Sequence, residues 1–100
     1  MDSNVGSAVV NFGAFPGSNE ASVVITGQDS IGADALCEAW VNAKATADHT
    51  VSDHTYAAVL MHPSCSVAAA GTGFTIYCAS PEKMQGTFNI NWVWYNPTVA

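Results

Sequence analysis

Arginine is absent from this chain and lysine occurs twice, against eight acidic residues, giving a formal charge of −6 and a pI near 4.4. Two cations cannot neutralise a run of phosphates, which argues against nucleic-acid binding and leaves little to hold an anionic membrane. Charged residues of both signs make up 10% of the 100 residues, while 49% are hydrophobic. That balance is the opposite of a disordered tail. Long apolar runs are lacking too: none approaches the roughly 18 residues of a membrane helix. No basic residue precedes Val5, so Met1-Asp2-Ser3-Asn4 lacks the charged start of a secretory signal. The expectation is a soluble chain made in a cytosol.

What is present fits a single domain over residues 1–100. Size scaling predicts that about 64% of the unfolded surface is buried, a modest core that association would support. Three cysteines, Cys37, Cys65 and Cys78, make an odd count. They read as free thiols acting as small hydrophobes.

The chain reads as strands. Residues 5–12 and 21–26 alternate, separated by a turn-rich stretch from Gly13 to Asn19. Residues 35–43 suit helix or strand; strand is preferred because both neighbours are strands. There Leu36, Glu38, Trp40 and Asn42 share one face, and Cys37, Ala39 and Val41 the other. Residues 44–54 read as a polar loop, 55–62 as a strand broken by Pro63-Ser64, and 66–70 as a short strand. Residues 74–79 form a strand, 80–86 a hairpin loop. Residues 87–95 alternate most cleanly, with Phe88, Ile90, Trp92 and Trp94 on one face. About seven or eight short strands at regular spacing predict an all-β antiparallel sandwich, of jelly-roll or immunoglobulin-like topology. A true immunoglobulin domain is not expected, since Trp40 follows Cys37 too closely and Tyr77 adjoins Cys78.

Chemistry has thin support. Asp48, His49, Asp53 and His54, with His62 further on, carry metal-type ligands, but their spacing matches no zinc motif. They read first as turn structure, next as metal ligands and last as a subunit contact, where histidine charge would make assembly pH-dependent at about 6.5. No nucleophile elbow occurs, cations that would activate a thiol are scarce, and Glu20, Glu38 and Glu82 are scattered. No enzyme, cofactor or metal is expected. The aromatic face of residues 87–95 reads as core; the alternative is that Trp94 or Tyr95 is exposed as a contact.

The run Gly71-Thr72-Gly73-Phe74-Thr75-Ile76-Tyr77, then Lys83 to Gly86, then Phe88-Asn89-Ile90-Asn91-Trp92-Val93-Trp94, resembles small virion-associated proteins of tailed bacteriophages. Glu38-Ala39-Trp40-Val41, Ala47-Asp48-His49-Thr50 and Asp53-His54 are similar too. The cysteines stand outside that pattern. The resemblance is spread over a span of more than half the chain, residues 38–94, and implies a non-enzymatic virion protein with no catalytic residues. The expected function is capsid decoration, cementing the assembled shell through the major capsid protein or another virion protein, with self-association into a homo-oligomer. The alternative is a tail or fibre module that binds a host receptor or glycan through Asn89, Asn91 and Asn96 beside Trp92, Trp94 and Tyr95.

Overall fold

The computed structural model describes residues 3–66 and 68–97. Six strands and one helix are present among them: β1 (Ser3–Asn11), β2 (Ser18–Ile25), β3 (Leu36–Val41), α1 (Val51–Leu60), β4 (His62–Cys65), β5 (Phe74–Met84) and β6 (Thr87–Tyr95). They form two three-stranded antiparallel sheets, ordered β1–β6–β3 and β2–β5–β4. The architecture is the small all-β sandwich that the alternation predicts, with six strands where seven or eight were expected.

The core sits between the sheets. Phe88, Ile90, Trp92 and Trp94 of β6 point inward, as do Phe74, Ile76 and Cys78 of β5, and all are buried. Phe74 meets Trp92 edge-on at 5.7 Å. Two inward tryptophans on the central strand leave room only for small neighbours. Gly6 and Ala39 flank Trp92, and Cys37 flanks Trp94. A Cβ on Gly6 would lie 2.4 Å from the Trp92 ring, so glycine is required there by volume. The same constraint fixes which face of β3 turns inward. Cys37, Ala39 and Val41 pack against the core, and the bulkier Leu36 and Trp40 face out.

Five sequence expectations are corrected. The polar loop expected at 44–54 stops at Thr50, since residues 51–54 form the first turn of α1. Residues 55–62, expected as a strand, lie largely in α1. Their alternation is between apolar residues on both faces, so it carries no period. His54, Ala57 and Met61 are buried, which is one helical stripe. The helix starts where Thr50 caps it: its side chain accepts from the Asp53 N–H at 3.1 Å, and Asp53 accepts from the Thr50 N–H at 3.0 Å, a reciprocal capping box. Pro63-Ser64 is not a break but part of β4, an edge strand, where a missing N–H is tolerated. The expected hairpin loop at 80–86 is mostly strand. β5 runs to Met84, with Pro81 at an irregularity in the β2–β5 register. β5 and β6 then lie in different sheets, joined at a corner where Gly86 takes φ 76°. The expected strand at 66–70 is absent among its described residues, which hold only a bridge from Ala69 to Gly73; Val67 lies outside them.

Candidate functional site

The structure brings Asp48, His49, Asp53 and His54 together and gives each a partner within the chain. Asp48 accepts from the N–H and the hydroxyl of Thr87 at 2.9 and 2.8 Å. These bonds, the hydroxyl first, hold its carboxyl below the usual 3.8. Asp53 is also held below 3.8, first by the Thr50 N–H and then by His49. The His49 ring stacks on Phe88 at 4.1 Å. Its Nε2 lies 2.6 Å from the Gln85 carbonyl and its Nδ1 3.3 Å from Asp53 Oδ2. Both partners are acceptors, so both bonds are made when both ring nitrogens carry protons.

His54 has the opposite requirement. It is fully buried. Its Nδ1 faces the Thr50 carbonyl at 2.8 Å, and its Nε2 accepts from the Asn89 N–H at 3.0 Å. The two bonds together require a neutral ring with the proton on Nδ1. The four residues therefore lash the loop and the start of α1 to β6. His54 is buried within its own chain, which fits its first reading as local structure and goes against the alternatives of subunit contact or ligand. Among the described residues no group of three histidine, cysteine or acidic side chains could hold a metal ion. His62 is exposed on β4. Beside the cluster, an open groove of about 450 Å³ is lined by Asn11, Phe15, Asp48, His49 and Gly86.

The three thiols lie inward between the sheets and are free. Burial pushes Cys65 and Cys78 up to about 11, with neighbouring Cys37 adding to the effect on Cys65. Burial raises Cys37 as well. Thiols held protonated in this way are poor nucleophiles.

Trp94 is 2% exposed, in keeping with the aromatic face of residues 87–95 as core and against the alternative of an exposed contact at this position. It donates from Nε1 to Gln28 Oε1 at 3.0 Å. Parity along β6 explains its burial, since it shares a face with Ile90 and Trp92. Tyr95, on the other parity, is 40% exposed. It belongs to a larger feature that the sequence reading did not single out. Across the outer face of the β1–β6–β3 sheet the register sets Ser3, Tyr95 and Leu36 in one row. Val5, Val93 and Glu38 form the next, and Ser7, Asn91 and Trp40 the third. Val5, Val9, Leu36, Trp40 and Tyr95 are all exposed there. Glu38 is the one charged side chain at the outward positions of these strands. Beside Trp40 lies a groove of about 360 Å³ over Gly6 and Ser7.

No family model, no curated protein and no solved structure matches this chain. No helix among the described residues is long and apolar enough to cross a membrane.

Proposed function

We propose that this chain is a non-enzymatic structural protein of a bacteriophage particle, a decoration protein that docks on the assembled capsid and cements it. The observation that carries the reading is the outer face of the β1–β6–β3 sheet. Five exposed large apolar side chains share one surface with a single carboxylate, and such surfaces mark protein contacts. The remaining chemistry supports a role without catalysis, because Asp48, His49, Asp53 and His54 are bonded into the fold and the thiols are held protonated. The mechanism is mechanical. A protein that binds the closed shell and not free capsid subunits stabilises the shell by mass action. Contacts of about 1,600 Å² are enough for specific docking.

A second reading, a tail module that binds a glycan, rests on one observation. The half-exposed Trp40 stands beside Asn91 and Ser7 at a groove, and indoles stack on sugar rings with amides and hydroxyls nearby to bond. Quantitative mass spectrometry of purified particles separates the two. Hundreds of copies, in simple ratio to the major capsid protein, support decoration. A few to some tens move the protein to the tail. Absence from the particle overturns both.

A further inference from the structure

We infer that the outer face of the β1–β6–β3 sheet is covered by a second copy of this chain, packed face to face about a twofold axis that runs along β6. The inference rests on reading this face as a docking surface and names the partner.

The argument begins with the distribution of bulk. In the first and third rows the large residue stands on β3 and the small one on β1. Trp40 lies across β6 from Ser7, and Leu36 across from Ser3. A twofold along β6 lays β3 of one copy over β1 of the other. Each Trp40 then meets the partner's groove over Gly6 and Ser7, each Leu36 meets Ser3, and Tyr95 and Val93 meet their own counterparts. This is the self-complementarity that an isologous contact needs, and aligned sheets pack in this way.

Charge points to the same face. Copies with a net charge of −6 repel one another, and this sheet face presents one carboxylate per copy. Glu38 lies on an edge strand, so its carboxylate keeps its water while its methylenes cover Val5. Association through this face therefore brings a single carboxylate per copy toward the partner.

Area sets the strength. At about 4.8 Å spacing, β1 and β6 of about 31 Å each and β3 of about 20 Å project roughly 390 Å² per copy. A corrugated face exposes more than its projection, so the pair buries on the order of 1,000 Å², the threshold for a specific contact. The dimer is accordingly weak in dilute solution and forms where copies are concentrated.

The test is sedimentation velocity on the full chain from ~1 µM to ~1 mM, a range that spans weak dimer affinities. The expected result is a concentration-dependent monomer–dimer equilibrium that strengthens with added salt, as repulsion is screened. Trp40→Glu should weaken it at least about tenfold, while Tyr77→Ser on the opposite sheet and Tyr56→Ser on α1 leave it unchanged. If Trp40→Glu does not fold, Ser7→Lys at an exposed edge position provides the same test. A monomer throughout the range overturns the inference and leaves the face to another particle protein. A dimer indifferent to both Trp40 and Ser7 overturns it as well, by placing the contact elsewhere. Particle copy number is independent of these outcomes. A monomer abundant in particles sinks only the dimer, and a dimer absent from particles sinks only the virion reading.

Discussion

Outward positions on the β1–β6–β3 sheet hold Val5, Val9, Leu36, Trp40, Val93 and Tyr95 among polar Ser3, Ser7, Glu38, Asn89 and Asn91; on the β2–β5–β4 sheet they hold Val24 and Tyr77 among Glu20, Ser22, Thr75, His62 and Ser64. Inward positions do not differ in this way. Ile90 of one sheet and Ile76 of the other are both completely buried, and each belongs to a central strand paired on both sides. The two sheets thus solve the same packing problem with the same kind of residue. They differ only where folding imposes no demand. A polar outer face is the ordinary solution for a half-buried antiparallel sheet, and the second sheet comes nearer to it, with Val24 and Tyr77 as its exposed large apolar side chains. The first sheet keeps bulky apolar groups in water, and that departure points to a contact with other protein.

The comparison breaks most severely from the inside. Ile90→Ala and Ile76→Ala should each cost about 2–5 kcal/mol in urea unfolding. Similar losses mean that both sheets belong to one cooperative core. A large loss for Ile90→Ala with almost none for Ile76→Ala would mean that the second sheet contributes little to global stability.

His54→Ala comes next, at about 2–4 kcal/mol, because it opens a cavity and orphans the Asn89 N–H. This effect is specific to the first sheet, since His54 bonds β6 where the β3 ladder ends. His54→Gln, whose amide can still accept from that N–H, should recover part of the loss. Equal losses for the two variants would mean that volume alone matters at this position.

How much of this was legible in the sequence depends on which competing effect acted locally. β6 was legible throughout because its large apolar residues alternate with polar ones, and its observed bounds coincide with the expected 87–95. α1 was hidden by residues such as Ala57, Ala58 and Val59, whose apolar character fits any period. The available cue is the capping box of Thr50 and Asp53, which in a stretch of polar residues looks the same as turn structure. Pro63 and Pro81 looked like breaks because their positions, an edge and a bulge, are set by partners far along the chain. For the candidate site, the sequence located Asp48, His49, Asp53 and His54 but not their partners Thr87, Gln85 and Asn89. It also separated Leu36 and Trp40 from Cys37 and Ala39. Which set faced the core became decidable only once β3 was known to lie beside Trp92 and Trp94, whose bulk excludes a second large residue.

Acid provides a gentler probe of the link between the loop and the first sheet. Asp48 and Asp53 are held below their ordinary 3.8 in the folded chain. Their stabilisation is therefore complete above the unfolded value and is lost as pH falls through the lower, folded one. Melting temperature followed from ~pH 6 to ~pH 2 should hold until about pH 4 and then decline. Asp48→Asn should flatten that decline. An unchanged acid limb in the variant would show that Asp48 does not link the loop to Thr87 in solution.

The smallest effect sharpens the comparison without altering stability. Cys37 belongs to the first sheet, Cys65 and Cys78 to the second, and all three point between them. Cys37 and Cys65 are half-buried on β3 and β4, both edge strands; Cys78 is fully buried on the central β5. Burial raises all three thiols above the ordinary 9.0, Cys65 and Cys78 to about 11, so labelling by a thiol-specific disulfide reagent at neutral pH should be slow at every site. Its order should be Cys37 and Cys65 before Cys78, because an edge opens locally at lower free energy than a centre. Cys37 reacting well ahead of Cys65 would mean that the β3 edge of the first sheet opens more readily than the β4 edge of the second. In that case a partner seated on the first sheet should slow Cys37 selectively, so the same reagent would report occupancy of the apolar face. Cys78 reacting first would contradict the packing of β5 between its two neighbours.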